Sequence, residues 1–186
     1  MHPVKYYWAF KTLLYKPFYK KIGFMTYMGR PLYVEGKKNI EIGNRTRILP
    51  GLRIEALNDG SIQIGNNCVI EQNVHIISEG QILKIGDDTT ISANAFISNV
   101  DHDYSDINKS VMDQSLIRKH TEIGEGCFIG FGAVILPGTK LGKHCVVGSN
   151  AVIKGEFPDY CVIVGAPGKI VKKYSIECGE WRNEIR

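Results

Sequence analysis

A chain of 186 residues is long enough for one domain with a substantial core, and its 44% hydrophobic and 23% charged content argues against a disordered or low-complexity protein. No apolar run approaches the roughly 20 residues that span a bilayer, and the amino-terminal residues lack the unbroken apolar stretch and small-residue cleavage site of a signal peptide, so a cytoplasmic location is expected. The net charge of +4 is unevenly placed, with +7 in residues 1–38 and −3 in the rest; basic character therefore belongs to one end of the chain, and no nucleic-acid partner is expected.

Residues 4–16 are aromatic and basic, and Pro17 should interrupt a helix there. The expected layout for the amino-terminal segment, residues 1–38, is a helix, a break, and a second short helix or loop. Packing against the following domain or within an oligomer is the favoured role. Contact with an anionic membrane is the other reading, motivated by Tyr6, Tyr7, Trp8 and Phe10 beside Lys5, Lys11, Lys16 and Lys20.

From Ile42 onward an aliphatic residue recurs every sixth position, usually followed by Gly. The run Ile123-Gly-Glu-Gly-Cys-Phe, Ile129-Gly-Phe-Gly-Ala-Val, Ile135-Leu-Pro-Gly-Thr-Lys, Leu141-Gly-Lys-His-Cys-Val, Val147-Gly-Ser-Asn-Ala-Val keeps this beat without a gap. A period of six suits neither a helix nor ordinary strand alternation, and predicts a stacked solenoid. Three beats make an 18-residue turn, so residues 39–158 should form about five triangular coils, an all-β solenoid with aliphatic corners pointing inward. Four residues after the first beat of each turn stand Thr46, Cys68, Thr89, Cys127 and Cys145, the small residues that a narrow prism needs inside. The cysteines are accordingly expected to be reduced core thiols.

Departures from the beat locate function. Turns one and two overrun by four and three residues, giving small protrusions near residues 58–60 and 79–80, whereas turn three overruns by twenty, at residues 99–121. A long irregular excursion on a rigid repeat is where activity is usually carried. It contains Asp101-His102-Asp103, and His102 is the candidate general base, because an imidazole exchanges protons near neutral pH. Asp101 or Asp103 could orient the ring or be solvated loop carboxylates. After Ile153 the chain, residues 159–186, reads as a strand and turn followed by a short helix.

The hexapeptide beat, the loop His102 and the closing Gly165-Ala166-Pro167-Gly168-Lys169-Ile170-Val171 resemble the left-handed parallel β-helix acyltransferases, and within them the sugar and polysaccharide O-acetyltransferases. The resemblance covers about residues 40–173. It implies a left-handed coil, a homotrimer with active sites between subunits, acetyl-CoA as co-substrate with no metal, and an acceptor hydroxyl on a bacterial surface polysaccharide (O-antigen or capsule) or its precursor. It implies His102 as the catalytic base and Asn73 as a residue that helps hold the acceptor, against the plainer reading of a turn Asn at a bend. His75, two residues on, should point outward, as a surface histidine or along the acceptor side.

For acetyl-CoA the resemblance implies backbone groups at Gly132, Ala133, Gly148 and Ser149. Lys154, Lys169 and Lys172 would serve the phosphates, unless they are solvated surface charges. Phe131 departs from a small polar residue of the relatives.

Other acceptors of the same fold, a xenobiotic, serine or an amino sugar, fit the same residues. A non-catalytic β-helix assembly subunit would not need His102. A γ-type carbonic anhydrase needs a zinc-binding His-x4-His pair, and the histidines at 2, 75, 102, 120 and 144 supply none.

Overall fold

The computed structural model describes residues 3–184; Met1, His2, Ile185 and Arg186, and with them the end of the expected closing helix, lie outside the described residues. A helix, Pro3–Tyr15, passes into a 3-10 turn, Lys16–Phe18, at Pro17, whose missing N–H cannot continue the helical ladder. The chain then winds into a parallel β-helix with three faces.

Face 1 stacks seven strands from Lys21–Ile22 to Glu156–Phe157, and face 3 stacks six from Tyr33–Glu35 to Val152–Ile153. Face 2 begins with Tyr27–Met28 and carries parallel strands up to Cys161–Val164. Six coils are complete and a seventh has two sides, where the sequence predicts about five. The additional coil comes from residues expected to precede the prism. Ile22, Met28 and Val34 keep the six-residue beat and lie in register with Ile42, Ile48 and Ile54. Gly36, at φ 66, and the 3-10 turn Lys37–Asn39 break the spacing before the next coil and hide it from a strict period.

All fifteen beat residues named by the sequence, from Ile42 to Ile153, are at most 3% exposed. Burial of each such side chain is worth about 1.5–3 kcal/mol. The small column is equally buried: Thr46, Cys68, Thr89, Cys127 and Cys145 are at most 1% exposed. Each also satisfies a corner carbonyl of the next coil, as in Thr46 Oγ1 to Gly65 O at 2.8 Å and Cys127 Sγ to Gly142 O at 3.2 Å. Burial pushes the Cys68 thiol up to about 11, the mark of an inert core sulfur.

The bends fall three residues after each beat, in the left-handed region: Arg45, Asn67, Asp88, Gly126 and His144 between faces 1 and 2, and Gly51, Asn73, Asn94, Gly132 and Asn150 between faces 2 and 3.

The closing segment departs from expectation. Instead of a strand and a helix it forms two further strands that extend face 2, Lys169–Ser175 antiparallel to Cys161–Val164 and Glu180–Asn183 antiparallel to Lys169–Ser175. Tyr174 and Trp181 meet edge to face across this hairpin at 5.5 Å, and the turn between them has Gly179 at φ 68. A cross-strand aromatic pair stabilises a hairpin where helix periodicity alone is too weak.

Candidate functional site

The excursion in the third predicted turn, the fourth coil of the structure, leaves face 3 at the end of Phe96–Ser98 and folds as a hairpin, Val100–His102 against Leu116–Arg118, that puts His102 opposite Leu116. Its root is fixed by Asn99, which is fully buried. Asn99 Oδ1 accepts from the Glu79 amide at 2.8 Å, its Nδ2 donates to Ser78 Oγ at 3.1 Å, and its carbonyl accepts from the Lys119 amide at 2.8 Å. Arg118 Nη2 adds an ion pair at 3.0 Å to Glu79, which is 1% exposed. The hairpin is thereby tied to the rigid stack at both of its ends.

Under the hairpin lies a cavity of about 470 Å³, walled by His75, Ile77 and Phe96 on face 3, floored toward Leu136 and Pro137, and closed by His102 and Leu116. The lining is mostly apolar with a few convergent polar groups, the usual make-up of a small-molecule site. His102 Nδ1 is buried without a hydrogen-bond partner among the described residues. An unsatisfied buried nitrogen costs about 1–3 kcal/mol, a burden that folded chains keep chiefly at working sites. A broader groove of about 530 Å³ runs along face 1 over Glu41, Gln63, Lys84 and Glu122. No histidine lines it, and much of its lining is corner backbone, so the His102 cavity is the stronger candidate site.

Sequence reasoning did not single out Glu55. It is 6% exposed and accepts hydrogen bonds from Arg53 Nε at 2.6 Å and His75 Nε2 at 2.9 Å. Burial is the largest single influence and pushes its carboxyl up, but the Arg53 and His75 contacts together outweigh it and leave the group below its ordinary value. A carboxylate so placed fixes the imidazole of His75, which also meets Phe96 edge to face at 5.1 Å. His75 is therefore part of the cavity wall.

The other residues indicated by the sequence are distributed as follows. Asp101 lines the cavity, but its Oδ1 accepts from the His102 backbone amide at 2.9 Å and not from the ring. Asp103 Oδ1 accepts from the Ser105 amide at 2.9 Å, and that bond holds its carboxyl below the ordinary value. Asn73 occupies the bend column between faces 2 and 3 at φ 57, where its side chain leaves no room for a Cβ on Gly51. It is exposed and does not line the His102 cavity.

Gly132 and Ser149 lie along the same bend, two and one coils before the end of the stack. Ala133 is fully buried and its backbone is already engaged, N–H to Gly130 O and carbonyl from the Phe96 amide. The Gly148 amide donates to Ile163 O, and the Ser149 amide and hydroxyl have no partner among the described residues. Lys154, Lys169 and Lys172 are exposed and form no ion pair among the described residues. Phe131 is half exposed beside Gly132.

Strand register joins the two groups. The outward positions Arg53, His75, Phe96, Val134 and Val152 form one column on face 3. The cavity wall and the Gly132–Lys154 flank are thus one continuous surface, with each coil adding about 4.8 Å. Among the described residues no group of three or more His, Cys, Asp or Glu is placed to hold a metal ion.

Comparison with known proteins agrees with this architecture. The model of the family described as bacterial transferase hexapeptide (six repeats) matches residues 120–155. WbbJ of Escherichia coli K12, assigned as an O-acetyl transferase of lipopolysaccharide biosynthesis, is 32% identical over 177 residues, which is 91% of this chain and 88% of WbbJ. Among solved structures, a variant of AntD, an N-acyltransferase from Bacillus cereus, in complex with dTDP-4-amino-4,6-dideoxyglucose and coenzyme A, superposes with a TM-score of 0.76 at 16% identity over 90% of each chain. Galactoside acetyltransferase in complex with coenzyme A gives 0.64 at 19% identity, over 95% of this chain and 75% of that one. With a relative of this identity matching along nearly all of both sequences, on a prism built from the same six-residue repeat, the chain belongs to the hexapeptide-repeat acyltransferase family.

Proposed function

We propose that the protein transfers an acetyl group from acetyl-CoA directly to a sugar hydroxyl of a bacterial surface polysaccharide, O-antigen or capsule, or of its precursor, with His102 as the general base. The observation that carries this reading is the His102 ring, set at a largely apolar cavity on a tethered hairpin with its buried nitrogen unpartnered. The likeness to WbbJ along almost the whole chain favours an O-linked acceptor of the lipopolysaccharide type.

Acetyl-CoA supplies the activated acetyl group. With Nδ1 buried, Nε2 is the nitrogen left to take the acceptor proton as the hydroxyl oxygen attacks, and base assistance of this kind is worth about 10²–10⁴ in rate. The buried cysteines take no part; an acyl-enzyme is not required for direct transfer.

The surface that suits the donor is the Gly132–Ser149 bend. Its unused Ser149 amide can meet the amides of a pantetheine arm, and the unpaired Lys154, Lys169 and Lys172 can meet phosphates as point charges. The working assembly on this reading is a homotrimer, with neighbouring prisms enclosing the donor groove, and sedimentation of the purified protein measures that directly.

The decisive experiment combines His102→Ala with a panel of sugar acceptors and a mass readout. The product should gain one acetyl group with the wild type. The variant should lose turnover by about 10²–10⁴ while still binding CoA in calorimetry. Full turnover by the variant would reject His102 as the base.

A further inference from the structure

The amino-terminal end of the prism has a surface that acyl transfer does not use. The helix Pro3–Tyr15 lays one side on the first coil, where Trp8 contacts Tyr27 at 6.2 Å between centroids and the buried Thr12 Oγ1 accepts from the Met28 amide at 2.8 Å. Its opposite side carries Tyr6, Tyr7, Phe10, Leu13 and Leu14, each 55–63% exposed. Spacings of 1, 3, 3 and 1 residues place these five on a single helical stripe. Phe18 of the 3-10 turn and Phe24, Met25 and Leu32 of the first coil, at the same end of the prism, are 59–75% exposed. Apolar exposure of this extent, five residues of it on one helical stripe, marks an interaction surface and not scattered surface residues.

Charge identifies the occupant. Lys11 borders the stripe, with its Nζ 4.8 Å from the Tyr7 ring centroid, while Lys5 Nζ lies 6.0 Å from the Tyr27 ring on the side of the helix that meets the first coil. Lys21, Arg30 and Lys38 around the first coil form no ion pair among the described residues. Residues 1–38 together carry +7. Two copies meeting through this end would bring those charges against each other, whereas an anionic lipid surface neutralises them. An apolar, Tyr-rich stripe on a basic segment is the composition of a helix lying in a membrane interface. No helix among the described residues is long and apolar enough to cross a membrane.

We infer that this end of the prism docks on an anionic phospholipid bilayer, with Phe10, Leu13 and Leu14 entering the headgroup boundary and the lysines contacting lipid phosphates. The inference does not rest on the acyl-transfer reading.

The test is flotation of the full chain with phosphatidylcholine vesicles, with and without phosphatidylglycerol, at low and high salt. Binding to the phosphatidylglycerol vesicles should exceed neutral binding by roughly tenfold or more and should fall with salt. Phe10→Glu with Leu13→Glu, at exposed positions that leave the core intact, should abolish it without lowering the melting temperature. Equal binding to neutral and anionic vesicles, no binding to either, or full binding by the double variant overturns the proposal. So does a concentration-dependent rise in mass of the lipid-free protein that the double variant removes, because the occupant is then a second copy.

Discussion

Glu55 accepts a hydrogen bond from His75 Nε2 at 2.9 Å, diagonally across two neighbouring coils, and so sits behind a side chain that lines the cavity closed by His102. The register pairs His75 with Arg53, and Glu55 with Ile77, so the carboxylate reaches both Arg53 on its own strand and His75 on the next. One buried acid thereby holds His75, which lines the cavity, and Arg53, which lies over the Tyr33 ring on the preceding coil.

If this pair positions the acceptor, its loss should act on acceptor binding. His75→Ala is expected to raise the acceptor KM by roughly five- to tenfold, the equivalent of one hydrogen bond, with CoA affinity unchanged. Glu55→Gln should act in the same direction but more weakly, since Gln can still accept from Arg53. An unchanged KM in both variants removes the pair from the acceptor wall.

The same carboxylate predicts an acid limb of stability. Glu55 sits below its ordinary value in the folded chain, so its pairing stabilises the fold above the unfolded carboxylate range and is lost as pH falls through the lowered folded value. Glu55→Gln should therefore melt earlier than wild type at neutral pH, by about 1–2 kcal/mol, and the gap should close as the pH is lowered below about 4. A gap that is constant with pH would mean that packing, and not charge, is what the substitution removes.

Much of the prism is legible in the sequence because every inward corner must be aliphatic and every small column must fit, so the period reports burial directly. It fails where chain geometry, not hydrophobicity, sets the spacing. The first coil keeps its beat at Ile22, Met28 and Val34 but is detached by the left-handed Gly36. The short overruns of turns one and two read as protrusions near residues 58–60 and 79–80. Their larger effect is to lengthen two strands of face 3, Arg53–Leu57 and His75–Glu79, to five residues each. That extra length brings Leu57, Ile77 and Glu79 to the cavity beside the hairpin. His102 was visible because it lies in the one long excursion. Glu55 was not, because alternation places it on an outer face, and the His75 side chain that engages it becomes a neighbour only through the register of the next coil.

The hairpin's hold on the stack gives a separate prediction at Asn99. Its carboxamide bonds the Glu79 amide and Ser78 Oγ in a fully buried position. Asn99→Ala leaves those partners unsatisfied, at about 1–3 kcal/mol. Turnover should fall more than acceptor or CoA binding, and residues 103–115 should become more open to limited proteolysis. A variant with normal turnover and normal protease resistance would show that the Arg118–Glu79 ion pair alone suffices to fix the loop.

The cationic flank is tested by salt. Lys140, Lys143 and Lys173 are committed to Glu156, Glu125 and Glu184, whereas Lys154, Lys169 and Lys172 have no carboxylate partner among the described residues. Free ammonium groups on an exposed flank attract a polyanion with a strength that falls as the Debye length shortens, from about 10 Å at 0.1 M to about 3 Å at 1 M salt. Each Lys→Ala change should weaken CoA binding by roughly three- to tenfold at low salt, an exposed charge pair being worth about 0.2–1 kcal/mol and more when the phosphate is chelated by several groups. The same three changes should matter little at high salt, and Lys140→Ala should matter little at either, because removing a lysine already engaged with Glu156 frees no phosphate contact. Equal losses for Lys140→Ala and Lys169→Ala would place the phosphates by bulk charge alone, away from the Gly132–Ser149 bend.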